Sequence, residues 1–403
     1  MQISSSKSRM GIVDSLRGFS LAGIVIVHMV ENYAGGPVPE EAMAIANQGV
    51  LDLVINGFIL LFLRGKFFAL FSFLFGLSFF IMMDSADQRQ EDFKGTFFWR
   101  LCLLLGIGYL HHLFYRGDIL TVYALLGMFL IPFYRIRSSW ILLVSGLLFL
   151  GIPRFLIFMC GGGEGIFIEN AIDPNSAINT SYFNTIKSGS ILDVFRSNAI
   201  SGHIMKAEFQ MGIFGRGYLT FGFFLLGLWF GRLKFFRKYL EFRKETRNAL
   251  WIGLASLVIF IGLSGFFFVQ LGPEPDFNTW WAMFGLTALD LANLAMTLII
   301  LAGFVLLYKS PKFERQLNRF APYGRMALTN YVVQSIIGTL IFYGWGLGLL
   351  GTVRNTYAFL MALGIIIVQV LISTWWLRKH YYGPLEWIWR SLTHFHFYPM
   401  KRS

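Results

Sequence analysis

The chain has 403 residues, of which 56% are hydrophobic and only 14% charged, with 44 Phe and a net charge of +12. A soluble domain carries about 25% charged residues, so a water-exposed fold of this size is excluded. A nucleic-acid-binding reading of the positive charge is excluded too, because the basic residues sit between long apolar runs.

The runs lack the period-two alternation of an outer-membrane barrel. They predict an all-α fold, a polytopic transmembrane helix bundle whose partner is the lipid bilayer. In chain order, runs able to cross about 30 Å of hydrocarbon fall at about 11–33, 66–83, 96–115, 119–134, 139–159, 217–231, 248–271, 280–307, 326–350 and 356–377. The first run lacks a small-residue cleavage site and reads as a retained helix rather than a signal peptide. A shorter run at about 48–63 carries Asp52 and Asn56 and ends in Arg64 and Lys66.

Lys and Arg collect on the cytoplasmic side of membranes. That rule places three basic segments inside: Arg232 to Arg247, Lys309 to Arg319, and the tail with Arg378, Lys379, Lys401 and Arg402. Lys7, Arg9 and Arg17 place the N-terminus inside as well, while the loop with Glu274 and Asp276 reads as external. Both ends are then cytoplasmic only if 48–63 does not cross. The expectation is therefore about ten spans, with 48–63 a re-entrant or interfacial helix on the outer side. The alternative is eleven spans with the N-terminus outside. The localisation expected is a bacterial inner (plasma) membrane, multi-pass, with a cytoplasmic C-terminus.

Three regions follow: an N-terminal transmembrane half, 1–159; an external loop, 160–216; and a C-terminal half, 217–403. The external loop holds Gly161–Gly163, Glu164, Glu169, Asp173 and His203. Its stretch Ile191–Met211 reads as an amphipathic surface helix, either a cap over a site or a connection. Cys102 and Cys160 suggest neither a disulfide nor a metal site, and no metal is expected.

Ionisable groups inside spans are costly and mark candidate sites. The first helix carries Asp14 and Arg17, three apart and able to pair. His28 lies about three turns and about 16 Å further on nearly the same face, with Glu31 one turn beyond. Either Asp14–Arg17 anchors the helix end and His28 bonds a neighbouring helix, or Glu31 orients His28 as a general base. His111, His112 and Asp118 lie at an outer turn. There His111 and Asp118 are either a base and its orienter or parts of a turn with Asp118 capping the next helix. Asn330 and Gln334 share a helix face, as interhelical glue or as ligands. Arg325 opens that helix, where it suits a phosphate or simply the inside-positive pattern. Asp290 and Asn293 form a weaker pair. The Trp- and Arg-rich stretch Trp375–Arg378 and Gly383–Arg390 reads as an interfacial anchor.

Several of these stretches resemble the signature of the domain of unknown function 418, a bacterial inner-membrane family. They are Asp14-Ser15-Leu16-Arg17-Gly18-Phe19, Gly65-Lys66-Phe67-Phe68, Gly117-Asp118-Ile119-Leu120 with Tyr123-Ala124-Leu125, Gly324–Ser335, Phe342–Gly351 and Gly383–Thr393. The resemblance runs over almost the whole chain. More distantly the chain is similar to membrane acyltransferases of the acyltransferase-3 and heparan-α-glucosaminide N-acetyltransferase groups. In the former a catalytic His follows an Asp by fourteen residues, the spacing of Asp14 to His28. The nearer family more often carries Asn at that place. The resemblance implies transfer of an acyl group from a cytoplasmic donor such as acyl-CoA to a small-molecule, lipid or glycan acceptor at the outer face. Arg17, Arg325, Arg232 and Lys234 would meet donor phosphates; His28 would deprotonate the acceptor or carry the acyl group itself, with Glu31 or Asp118 holding the imidazole in the needed tautomer. The rival reading is a transporter using the same polar stripe as a substrate or proton path, although no internal repeat supports it. The sequence leaves the oligomeric state open.

Overall fold

The computed structural model describes residues 10–161, 165–168, 173–272 and 276–402. Lys7, Arg9, Gly162, Gly163, Glu164, Glu169 and Glu274 lie outside the described residues.

The described residues form α-helices with no named strand: α1 Gly11–Val30, α2 Glu40–Ala46, α3 Val50–Phe58, α4 Phe67–Asp87, α5 Lys94–Phe114, α6 Leu120–Leu130, α7 Ser138–Phe149, α8 Ile152–Gly161, α9 Ala177–Ser188, α10 Ile191–Ser197, α11 His203–Met211, α12 Arg216–Arg232, α13 Arg243–Val269, α14 Trp280–Tyr308, α15 Pro311–Leu317, α16 Ala321–Arg325, α17 Ala327–Phe342, α18 Asn355–Lys379 and α19 Pro384–Thr393. Six helices are long and apolar enough to cross a membrane, or up to eight if each of two bent pairs is one span. Two shorter apolar helices, Leu120–Arg135 and Ala327–Phe342, stand beside them. The outward rows of α13 and α18 are apolar: Val258 is 74% exposed and Leu371 63%. Such rows have no place in water and match a hydrocarbon surround.

Bare glycine backbones set the tightest packing. A Cβ on Gly76 of α4 would stand 2.0 Å from the Phe224 carbonyl oxygen of α12, and one on Gly227 of α12 the same distance from that of Phe73. Small residues at a crossing let two membrane helices close to backbone contact. One continuous core runs from Ile12 to Ile366 and draws on both expected halves of the chain.

The basic segments meet at one end. Ser15 and Tyr308 both donate to Asn318, at 2.8 and 2.6 Å, and Tyr239 packs against Tyr308. The opposite end holds the Asp52–Arg354 ion pair, 2.8 Å, and the Tyr343 hydroxyl on the Tyr33 carbonyl, 2.8 Å.

Three expected runs differ in detail. The run at 139–159 is α7 and α8, bent by 49° at Gly151, whose φ is +72°. The run at 326–350 is helical only to Phe342, because glycines 344, 346, 348 and 351 follow and favour turns. The 48–63 segment is α3 followed by a π-helical turn, Ile59–Leu63. It breaks at Gly65, φ +83°, before α4, and Val50–Asp87 counts as one candidate span.

Candidate functional site

A cavity of about 1170 Å³ lies at the end opposite the basic segments. Helices α1, α11 and α12, the break at Arg64 and Gly65 and the α5–α6 turn surround it. Ile24, Val27, Phe67 and Phe68 give it apolar walls, while His28, Glu31, Arg64, Asp118, Lys206 and Arg216 bring charge and hydrogen-bonding groups to it.

His28 lies in the last turn of α1, after which the chain turns back through Asn32 and Tyr33, with left-handed φ of 51° and 52°. That turn folds Tyr33 onto the imidazole at 5.3 Å between ring centres, and Tyr115 lies at the same distance. Tyr331 of α17 stands at 6.5 Å. The ring is thus held by aromatic edges, and its Nδ1 has no hydrogen-bond partner among the described residues. Glu31 does not reach it: that carboxylate is ion-paired to Arg64 at 2.8 Å. The helix turn that brings Glu31 near His28 also points it at the break after α3.

His111 and Asp118 are brought together. His111 Nδ1 lies 2.8 Å from Asp118 Oδ1 in a fully enclosed pair. The same carboxylate accepts from the backbone N–H groups of Leu120 and Thr121 and from the Thr121 hydroxyl. It therefore caps α6 as well as facing His111. Lys206 closes the cluster, with Nζ 3.4 Å from Asp118 Oδ2 and 2.8 Å from Thr121 Oγ1. Burial alone would raise the Asp118 carboxyl. The His111 hydrogen bond and the His111 and Lys206 charges outweigh burial and hold it below the usual carboxylate range. His111 also packs on Tyr331 at 5.1 Å, so both histidines share that tyrosine.

The remaining expected site residues lie elsewhere. Asp14 pairs with Arg17 at 3.1 Å, and Arg17 also donates to Ser78. Arg232 donates to the carbonyls of Phe133, Tyr134 and Ile136 and to the Ser138 hydroxyl. Its fork closes the α6–α7 turn instead of standing free for a phosphate. Arg325 ends α16 at the basic end, partly buried. Asn330 donates to Ser373 and to the Tyr323 carbonyl, and Gln334 accepts from the Tyr323 hydroxyl. With Gln369 they knit α16, α17 and α18 and do not line the cavity. Asp52, noted in the shorter run, is buried and pins α3 to the start of α18 through Arg354 and Thr356.

Sequence reasoning passed over Lys206, Arg216 and Arg154. Arg154 lies inside the run at 139–159, fully buried; it donates to Thr287 and to the Ile213 carbonyl and pairs with Asp290. A lone arginine in an apolar run is the signal that could have found it. Gly215-Arg216-Gly217, at the mouth of an uncharged run, is a similar signal. No group of three or more metal-ligating side chains is gathered among the described residues.

The family described as "Protein of unknown function (DUF418)" matches residues 230–396. The chain is 28% identical over 420 residues to the uncharacterized protein YxaH of Bacillus subtilis (strain 168), covering 100% of this chain and 98% of that protein. It is 26% identical over 410 residues to an uncharacterized 39.9 kDa protein in the amylase 3′ region of Bacillus acidopullulyticus, covering 97% and 96%. It is also 26% identical over 403 residues to the uncharacterized protein YeiB of Escherichia coli (strain K12), covering 94% and 95%.

Proposed function

For this DUF418 family member, an integral membrane protein, we propose acyl transfer from a cytoplasmic acyl-CoA donor to an acceptor held in the cavity beside His28. The observation that carries the reading is the His28 imidazole, on the cavity wall and fixed in place by tyrosine rings. A general base must be held in position and not be hydrogen-bonded away from its substrate. In the reaction His28 takes the proton of the acceptor hydroxyl or amine. The freed lone pair attacks the thioester carbonyl, the C–S bond breaks, and the thiolate leaves and takes up a proton. The acceptor is a small molecule, lipid or glycan. The basic end faces the cytoplasm of a bacterial inner membrane and carries the C-terminus. Arg325 and Lys234, at that end, meet the donor phosphates.

The test uses purified full-length protein in lipid nanodiscs with radiolabelled acetyl-CoA and longer acyl-CoAs. Release of free CoA with transfer of label to a lipid or added acceptor is expected in the wild type and absent from His28→Ala. No turnover with any donor, or equal turnover in the variant, overturns the reading. A transport reading has its own support in the ion pairs Glu31–Arg64 and Asp118–Lys206, which join separate elements around one cavity. Flux into proteoliposomes without acyl-CoA consumption would favour it.

A further inference from the structure

We infer that the Arg64-Gly65-Lys66 turn, together with Arg216, is a binding site for a phosphomonoester group. The inference does not depend on the chemistry at His28. The break between α3 and α4 places one cation on each side of a glycine whose φ of +83° few other residues adopt. On the bare side of that glycine stands Arg216: its Nη1 would lie only 3.5 Å from a Cβ at position 65. The Arg216 guanidinium rests over the Phe68 ring at 4.6 Å and faces the cavity. Among the described residues it has neither an ion pair nor a side-chain hydrogen bond. Lys66 is 6% exposed and gives one of its three donors to the Leu60 carbonyl, 2.9 Å.

The local charge does not balance. Arg64, Lys66 and Arg216 lie close enough to repel one another. Among the described residues the carboxylates acting on Arg216 are Glu31, paired with Arg64, and Asp290, paired with Arg154. Among the described residues four cations therefore face two carboxylates, a surplus of two positive charges beside the cavity. Like charges held this close disfavour one another, and a ligand of matching charge relieves the repulsion. A phosphomonoester carries about −1.5 to −2 at neutral pH, and two guanidinium forks suit its oxygens. A carboxylate would leave about half the surplus unmatched. The cavity walls beside the turn are apolar at Phe67, Phe68 and Phe214. The neighbouring Leu60, Leu61 and Phe62 point outward, 40–56% exposed. The phosphate thus belongs either to a lipid such as phosphatidic acid, entering past α3, or to a soluble phosphate reaching the cavity from its mouth.

The experiment compares thermal unfolding of the full chain in three settings: phosphatidylcholine nanodiscs, the same with about one lipid in ten replaced by phosphatidic acid, and phosphatidylcholine nanodiscs titrated with inorganic phosphate. Saturable stabilisation by phosphatidic acid alone identifies the lipid source; stabilisation by inorganic phosphate identifies the soluble one. Either response should weaken about tenfold or more in Arg216→Gln. It should weaken likewise in Arg64→Gln, whose half-exposed side chain makes it the variant safest to fold. Glu31→Gln should strengthen it, because the competing carboxylate is gone. No response to either phosphate in the wild type, or a response unchanged in both arginine variants, overturns the inference.

Discussion

Gly18 of α1 and Gly324 of α16 meet backbone to backbone. A Cβ on Gly18 would lie 2.1 Å from the Phe320 carbonyl oxygen, and one on Gly324 would lie 2.0 Å from that of Asp14. These two glycines belong to motifs more than three hundred residues apart in the chain. Their shared role is a close crossing that no side chain allows. Gly18→Ala and Gly324→Ala should each lower stability by about 2–4 kcal/mol, read as a fall in the thermal unfolding midpoint in detergent. Because one α1–α16 shift relieves both clashes, the double variant should lose clearly less than the summed singles. Full additivity would show that the two positions are independent.

The buried Asp118 carboxylate compensates Lys206 and anchors His111. Asp118→Asn leaves the ammonium without its partner, and breaking a buried pair costs about 3–5 kcal/mol. Adding Lys206→Met to Asp118→Asn should restore part of that loss in a chemical unfolding measurement. No recovery in the double variant would mean that Lys206 does not depend on Asp118.

The same carboxylate gives a pH signature. Its folded value lies below the ordinary 3.8, because the His111 and Thr121 hydrogen bonds and the Lys206 charge outweigh burial. The stability it contributes is therefore complete above the unfolded value and is lost as pH falls through it toward the folded one. Between about pH 6 and about pH 3 the wild type should lose more stability than Asp118→Asn. Parallel pH profiles for the two proteins would contradict this.

Much of the helix pattern was legible because apolar runs report burial in lipid directly. The places where it was not legible have physical causes. Gly151 breaks a run that remains apolar on both sides, so hydropathy passes over it. Arg232 obeys the inside-positive pattern, which says nothing of the carbonyls its fork closes on. The spacing of Glu31 from His28 put both near one helix end. Only the return of the chain at Arg64 shows which partner the carboxylate takes. Lys206 reaches Asp118 across 88 positions of sequence, a distance at which no local periodicity carries information.

Arg232→Gln should separate a structural from a ligand-binding role. Its guanidinium holds three carbonyls and one hydroxyl at the α6–α7 turn, and hydrogen bonds from charged groups contribute about 1.5–3 kcal/mol each. Partial exposure and water replacement reduce the net loss to about 2–3 kcal/mol. Unfolding midpoints should drop while affinity for acyl-CoA stays unchanged. A stable variant with weakened acyl-CoA binding would return Arg232 to the donor site.

Asp52 supplies the last test, because it fixes the one segment whose path decides the topology. Its two oxygens accept from the Gly49 and Thr356 backbone, the Thr356 hydroxyl and Arg354. The start of α3 is therefore tied to the start of α18, at the end away from the basic segments. If the basic end is cytoplasmic, a cysteine at exposed Glu41 should react with an impermeant maleimide added outside intact cells, and one at exposed Leu240 only after permeabilisation. The reverse pattern would invert the orientation. Asp52→Ala leaves Arg354 unpaired and the N-terminus of α3 uncapped. It should speed maleimide labelling at position 41 severalfold without moving that position to the other side. Unchanged labelling rates would mean that α3 is held by its lipid-facing residues and not by this carboxylate.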